Sequence, residues 1–140
     1  MTPPDFAWVA DVIGTPWVLR GRDPVAGWDC LGCAEVAQAR ALGTPEICSL
    51  GLYAGDTGRT SPAALFSAYF DRGAPLYRQV PDRTAGAIVL FRIGRRPVHC
   101  GLYLGQGRFL HASERADTVI SELSDFDYDH AASEFYFPHF

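Results

Sequence analysis

Apolar residues recur at helical spacing in the first part of the chain, then gather into short, nearly unbroken runs in the last part. Phe6, Val9, Ala10 and Ile13 share one helical face. They lie behind a Pro pair and Asp5 that signal a start and ahead of Gly14 and Pro16 that signal a stop, which predicts a first helix. A loop rich in Gly, Pro and Asp follows over residues 15–28. The segment from Cys30 to Leu42 is built from strong helix formers, with Gly43 as its stop and Pro45 beyond, and predicts a second helix. Ser61-Pro62 has the form of an N-cap and first helical position, for a third helix reaching about Asp71. Residues 44–60 carry only a weak, Gly-rich pattern, and residues 73–84 read as loop.

After Gly86 the pattern changes to strands, expected over residues 87–92, 97–104, 108–112, 118–123 and 134–137. The aromatic run from Phe135 to Phe140 is expected to close the sheet. Helices first and an antiparallel meander second make an α+β fold, with N-terminal helices packed on a C-terminal antiparallel sheet. At 140 residues the chain is expected to form a single domain.

Composition narrows the function classes. Hydrophobic residues are 48% and charged residues 20%, a globular balance that excludes disorder. No apolar run approaches the roughly 20 residues of a membrane span. The net charge is −4 and the basic residues, all Arg, are scattered, so no electrostatic footprint for nucleic acid is present. The N-terminus has neither a basic n-region nor an apolar h-region, so no secretory leader is expected.

Four cysteines, at positions 30, 33, 48 and 100, and four histidines, at 99, 111, 130 and 139, hold the candidate chemistry. Cys30 opens the second helix, where free N–H groups and the helix dipole lower a thiol's pKa and can hold an oxyanion. A thiolate nucleophile needs a base, and the base an orienting group. His99 and His111 can supply both if their strands align. A three-residue loop over 105–107 is the expected register, since it sets Leu102 opposite Leu110 on the apolar face, and it brings both histidines to one sheet face as diagonal neighbours. A two-residue turn at Gly105-Gln106 would separate them. Cys33, Cys48 and Cys100 read as packing residues, with Cys33 one turn past Cys30 and near enough to cross-link with it on oxidation.

These residues stand in three ordered blocks. Gly14-Thr15-Pro16-Trp17 with Gly27-Trp28-Asp29-Cys30-Leu31-Gly32 resembles the nucleophile signature of NlpC-type cell-wall cysteine peptidases, G-x-P-Y followed by D-C-S-G. The run from Gly86 to Phe91, with Val98-His99-Cys100-Gly101-Leu102-Tyr103-Leu104-Gly105, is similar to that family's G-D-L-V-F-F and H-V-G-I-Y-L-G, and Arg108-Phe109-Leu110-His111-Ala112-Ser113 to its F-I-H-A-S. The resemblance implies a papain-like fold with Cys30 as nucleophile, His99 as general base and His111 as the third member. It further implies hydrolysis of peptidoglycan stem peptides, commonly between γ-D-glutamate and a diamino acid, with no metal or organic cofactor. Trp17, Asp29 and Leu31 are assigned to the substrate side, Trp17 and Leu31 standing where the family has Tyr and Ser, while for Asp29 a plain helix cap is an equal alternative to binding a substrate amine. The compact D-C-L-G form is most similar to peptidases of phage tail and gene-transfer-agent clusters. That implies tail proteins as partners and a route to the periplasm through the virion or by lysis.

Other readings of the same residues are open. Cys30-Leu31-Gly32-Cys33 is a C-x-x-C at a helix start, as in dithiol oxidoreductases, although no strand is expected before it. Cys30, Cys33, His99, Cys100 and His111 are possible zinc ligands, although adjacent His99 and Cys100 point to opposite strand faces. A structural tail component without activity, or a papain-like amidase or acyltransferase, would keep the same fold.

Overall fold

A computed structural model describes residues 3–48, 61–64, 76–125, 128–129 and 131–139. The elements run β1 (Arg22–Asp23), β2 (Gly27–Trp28), α1 (Cys30–Leu42), β3 (Tyr77–Val80), β4 (Ile88–Ile93), β5 (Arg96–Gly105), β6 (Arg108–Ser113), β7 (Asp117–Glu122) and β8 (Ala132–Pro138).

Helix α1 begins where the sequence places it. Asp29 is its N-cap, accepting a hydrogen bond from the Gly32 backbone N–H, and Gly43 closes it in the left-handed conformation at φ 68°. The helix is buried on nearly all sides, so its polar residues must find partners inside. Glu35 accepts from Arg22 Nη1 at 2.8 Å and from the Tyr77 hydroxyl at 2.6 Å. Gln38 Nε2 donates to the carbonyls of Gly86 at 3.0 Å and Tyr136 at 2.9 Å. These bonds tie the helix to the β1–β2 hairpin, to β3 and to the sheet.

The main sheet is antiparallel throughout, in the order β3-β8-β4-β5-β6-β7. Ile88, Leu90, Cys100, Leu102 and Leu110 face α1, while Val89, Phe91, Tyr103, Phe109 and Phe135 form a second apolar layer on the opposite face. Burial on both faces is why β4 reads as an unbroken apolar run rather than an alternation.

Several expectations need correction. The first helix is only a 3-10 segment, Val9–Val12, so the N-terminal helices are fewer than predicted. Few residues lie between Pro4 and Gly14, Asp5 captures the Ala7 N–H, and the Trp8 indole bonds back to the Asp5 carbonyl. Such a stretch cannot repay helix nucleation. Within the predicted third helix, residues 62–64 are helical and the rest lies outside the described residues. The loops expected over 15–28 and 73–84 contain the small β1–β2 hairpin and the edge strand β3. The sheet is a meander only through β4–β7, because β8 turns back to lie between β3 and β4. Its Phe135, Tyr136 and Phe137 are buried, as expected of a closing strand.

The loop before α1 lies close over the helix start. A Cβ at Gly32 would overlap the Gly21 carbonyl oxygen, so only glycine permits this approach. We expect Gly32→Ala to destabilise the protein by about 1–3 kcal/mol in urea unfolding, despite the better helix propensity of Ala. An unchanged or raised midpoint would contradict the close packing.

Candidate active site

The histidine side of the site is set by the β5–β6 hairpin. Gln106 and Gly107 both have positive φ, at 54° and 77°, and form a two-residue turn with Gly105 paired to Arg108. A bulge at Leu104 then takes up one residue, so Tyr103 meets Phe109 and Leu102 meets Leu110. The expected three-residue loop is therefore replaced by a tighter turn plus a bulge, which reaches the same pairing of Leu102 with Leu110. One step further along this register Gly101 meets His111. A Cβ there would come within 2.6 Å of the Leu110 carbonyl oxygen and 3.0 Å of His111 Cβ.

The two imidazoles consequently meet, His99 Nε2 lying 2.8 Å from His111 Nδ1. His111 Nε2 lies 2.8 Å from Ser121 Oγ on β7. Aromatic rings enclose the pair: Phe109 packs 4.5 Å from His111, and Tyr128 lies 5.8 Å from His99 and 5.5 Å from His111. Phe91 stacks on His99 at 6.3 Å. Burial, followed by the charge on His99, pushes His111 down to about 3, so it is neutral near pH 7.

Cys30 is the first residue of α1 and is nearly buried. The Cys100 thiol donates to Cys30 Sγ across 3.6 Å. That bond is the main force holding the Cys30 thiol well below its usual range. Burial opposes it, and the hydrogen bond and charge of His99 add to it. Cys100 is pushed up in turn by the same bond and by its own burial. Cys100, read from sequence as packing, is thus the sulfur beside Cys30. Cys33 lies in the other core cluster under Trp8 and Trp28, and burial raises its pKa. Cys48 is exposed and is not a packing residue.

The residues assigned to the substrate side divide. Asp29 has no exposed surface; its two oxygens accept from Gly32 N–H and Arg20 N–H, each at 2.8 Å, and burial raises its pKa. It is a cap. Leu31 is fully buried in the core and presents no wall to the site. Trp17 is half-buried, bridged to Trp28, with its backbone N–H on Asp117. His139 is exposed and lies apart from this cluster, while His130 falls outside the described residues. Ser121 and Tyr128 went unseen in the sequence. Extending strand pairing by one hairpin would have found Ser121, whereas Tyr128 sits in an Asp-rich loop without periodicity.

Beyond His111 a groove of about 570 Å³ opens, lined by Ser113, Arg115, Val119, Ser121, Asp125 and Tyr128. Among the described residues no group of three or more His, Cys, Asp or Glu side chains is placed to hold a metal ion. A thiol of lowered pKa at a helix start, a half-buried imidazole and a neutral second imidazole are the parts that a thiol-based acyl-transfer centre requires.

Residues 67–134 match the family model of the NlpC/P60 family, a stretch that includes His99, His111 and Ser121 but not Cys30. A curated relative, the gamma-DL-glutamyl hydrolase of Bacillus subtilis (strain 168), is 28% identical over 121 residues, covering 81% of this chain. The match takes in 24% of that relative, so the chain spans about a quarter of its length. The solved NlpC/P60 domain of the peptidoglycan hydrolase SagA is similar with a TM-score of 0.57 and 22% identity, over 92% of each chain. An NlpC/P60 family protein from Bacillus cereus is similar with a TM-score of 0.56 and 14% identity, over 95% of this chain and 40% of the other. The chain has the papain-like fold of NlpC/P60 domains, a helix packed on a mainly antiparallel sheet.

Because Cys100 is the strongest influence lowering the Cys30 pKa, Cys100→Ala should move the pH midpoint of Cys30 alkylation upward. Near neutral pH the variant then holds less thiolate and reacts more slowly, and the rates converge in alkali. Iodoacetamide rates read by mass spectrometry from pH 5 to 10 check this. A midpoint that stays put or moves down would show that the Cys100 thiol is not donating.

Proposed function

We propose that the chain is a cysteine peptidase of the NlpC/P60 type that hydrolyses peptide bonds in peptidoglycan stem peptides, at the bond between γ-D-glutamate and the diamino acid. The observation that carries this reading is the file of groups from a lowered-pKa thiol at a helix start, through His99, to His111 at 2.8 Å. The family match and the glutamyl hydrolase relative support the choice of substrate.

In this mechanism the Cys30 thiolate, paired with protonated His99, attacks the scissile carbonyl carbon. Asp29 already engages the Gly32 N–H and Leu31 is fully buried, so the Cys30 N–H at the helix mouth is the proposed oxyanion donor. Collapse of the tetrahedral intermediate forms a thioester, and His99 delivers its proton to the leaving amine. Neutral His99 next takes a proton from water, which attacks the thioester carbonyl and releases the carboxylic acid and the thiolate. His99 works through Nδ1 because its Nε2–H donates to His111 Nδ1. His111 therefore carries its own proton on Nε2 and donates it to Ser121 Oγ. Ser121 is a positioning residue here: it holds the His111 tautomer, and through it the His99 tautomer. Trp17 is the one substrate-side residue from the sequence reading with exposed surface to offer, and the groove beyond His111 is offered to the far flank of the peptide.

The D-C-L-G form of the nucleophile motif favours a finer placement, in the tail of a phage or gene transfer agent where the enzyme opens the wall. Proteomics of purified tail particles checks that placement.

The primary test is incubation of the protein with defined stem peptides and mass spectrometry of the products. Wild type should release a product whose mass marks the γ-D-glutamyl bond. Cys30→Ala should be inert while keeping its fold, and His99→Ala should lose more activity than His111→Ala. Ser121→Ala should lose roughly 10-fold in kcat with little change in KM, and Ser121→Thr should restore most of it. Absence of cleavage in the wild type, with Cys30 also unreactive toward an alkylating probe at neutral pH, overturns the reading in favour of a structural component. Acyl transfer to an added amine instead of water would point to an acyltransferase.

A further inference from the structure

The Cys30–Cys100 contact does more than tune a thiol. The two sulfurs face each other at 3.6 Å from rigid elements, the first residue of α1 and the interior of β5. Both side chains belong to one core cluster, whereas Cys33 belongs to another. A disulfide needs its sulfurs at about 2.05 Å, so closure requires an approach of about 1.5 Å. The block that this strand resembles has Val after its His; here Cys100 follows His99, and its side chain points across the sheet face toward the helix start.

We propose that Cys100 is a resolving thiol that makes Cys30 a site of reversible oxidation by peroxides, through a Cys30–Cys100 disulfide. The Cys30 thiolate attacks one peroxide oxygen and the O–O bond breaks. Sulfur is oxidised to sulfenic acid, and the leaving oxygen departs as hydroxide or alkoxide. Cys100 sulfur then attacks the sulfenic sulfur, forming the S–S bond and expelling hydroxide, which takes up the proton lost by the Cys100 thiol. In sum, two thiols and one peroxide give one disulfide and two water molecules, or one water and one alcohol. Burial and the Cys30 thiolate keep Cys100 protonated in the reduced protein. Forming the neutral sulfenic acid removes that neighbouring charge, so Cys100 ionises more readily at the step that needs it. The disulfide consumes the nucleophile and blocks the slower oxidation of Cys30 to sulfinic and sulfonic acid, which thiols do not reverse. This inference rests on the proposed Cys30 thiolate but not on the substrate assigned to it.

The test treats full-length protein with a small excess of hydrogen peroxide, followed by tryptic mapping without reductant. Peptide 23–40 should be joined to peptide 96–108, with fragment ions placing the bridge at Cys30 while Cys33 and Cys48 stay open to alkylation. Dithiothreitol should return at least 80% of Cys30 to the alkylatable form. In Cys100→Val, treated until its alkylatable Cys30 is consumed, Cys30 should end as sulfinic or sulfonic acid, with under 20% recovered. Each figure is relative to the same protein before oxidation, because removing Cys100 alters basal reactivity as well. A bridge from Cys30 to Cys33, or overoxidation of wild type as complete as that of the variant, overturns the proposal. Alkylation of the untreated protein separates the two readings. A Cys30 that alkylates at neutral pH but forms no bridge refutes resolution alone, and a Cys30 inert to both reagents refutes the activated thiolate beneath it.

Discussion

The register between β5 and β6 is the constraint on which the site rests. Strand side chains alternate, so a slip of one residue would send His99 and His111 to opposite faces of the sheet. The bulge at Leu104 holds the alignment that puts Leu102 against Leu110, and thereby Gly101 against His111. A side chain on residue 101 would press into the Leu110 carbonyl and His111, so the gap left by glycine is what lets the two imidazoles close to 2.8 Å. Phe91, Phe109 and Tyr128 then exclude water, and this desolvation keeps His111 neutral. Geometry and electrostatics here have one source.

The nucleophile side depends on polar groups buried in an apolar setting. Asp29 caps α1 with one oxygen and holds Arg20 with the other, fixing the incoming loop to the helix start. Glu35 and Gln38 do the same farther along, binding Arg22, Tyr77 and the sheet carbonyls of Gly86 and Tyr136. A buried carboxylate left without partners costs several kcal/mol, so each anchor stabilises one orientation of the helix over its neighbours. Cys30 inherits that orientation, and the distance to Cys100 follows from it.

The sequence was most legible where one local signal decides the matter. Asp29 and Gly43 bracket α1 because a cap and a left-handed stop are single-residue effects. Strands β4–β7 follow from apolar runs broken by turns, the first two at Gly94 and Gly107. One of the two registers weighed for β5 and β6 put His99 and His111 on one face, which the structure reaches through a different turn and a bulge. Legibility failed where distant segments decide. Tyr77–Val80 becomes a strand only because β8 returns beside it, and the short Phe6–Ile13 stretch is also held from outside, the Asp5 N–H donating to the Ala41 carbonyl and the Gly14 N–H to the Thr118 carbonyl. Leu31 looked like a pocket residue by position in a motif, but its direction is set by helix packing that a motif does not encode. Cys100 looked like core filler for the same reason: only the closeness of α1 to β5 reveals its neighbour.

The position of β8 carries a kinetic consequence. Strands β4 to β7 are joined by short turns and can zip together from neighbours in sequence, which assembles the histidine pair early. β3 has β8 as its partner in the sheet, and β8 must cross back over the finished hairpins to reach it. Loop closure over such separations is slow because chain entropy is lost before contacts repay it. Tyr77 and the Tyr136 carbonyl, which secure Glu35 and Gln38, therefore depend on the slower closure. The chain would finish its base before it seats its nucleophile, so a partly folded molecule would have the proton relay in place without a firmly docked sulfur to use it.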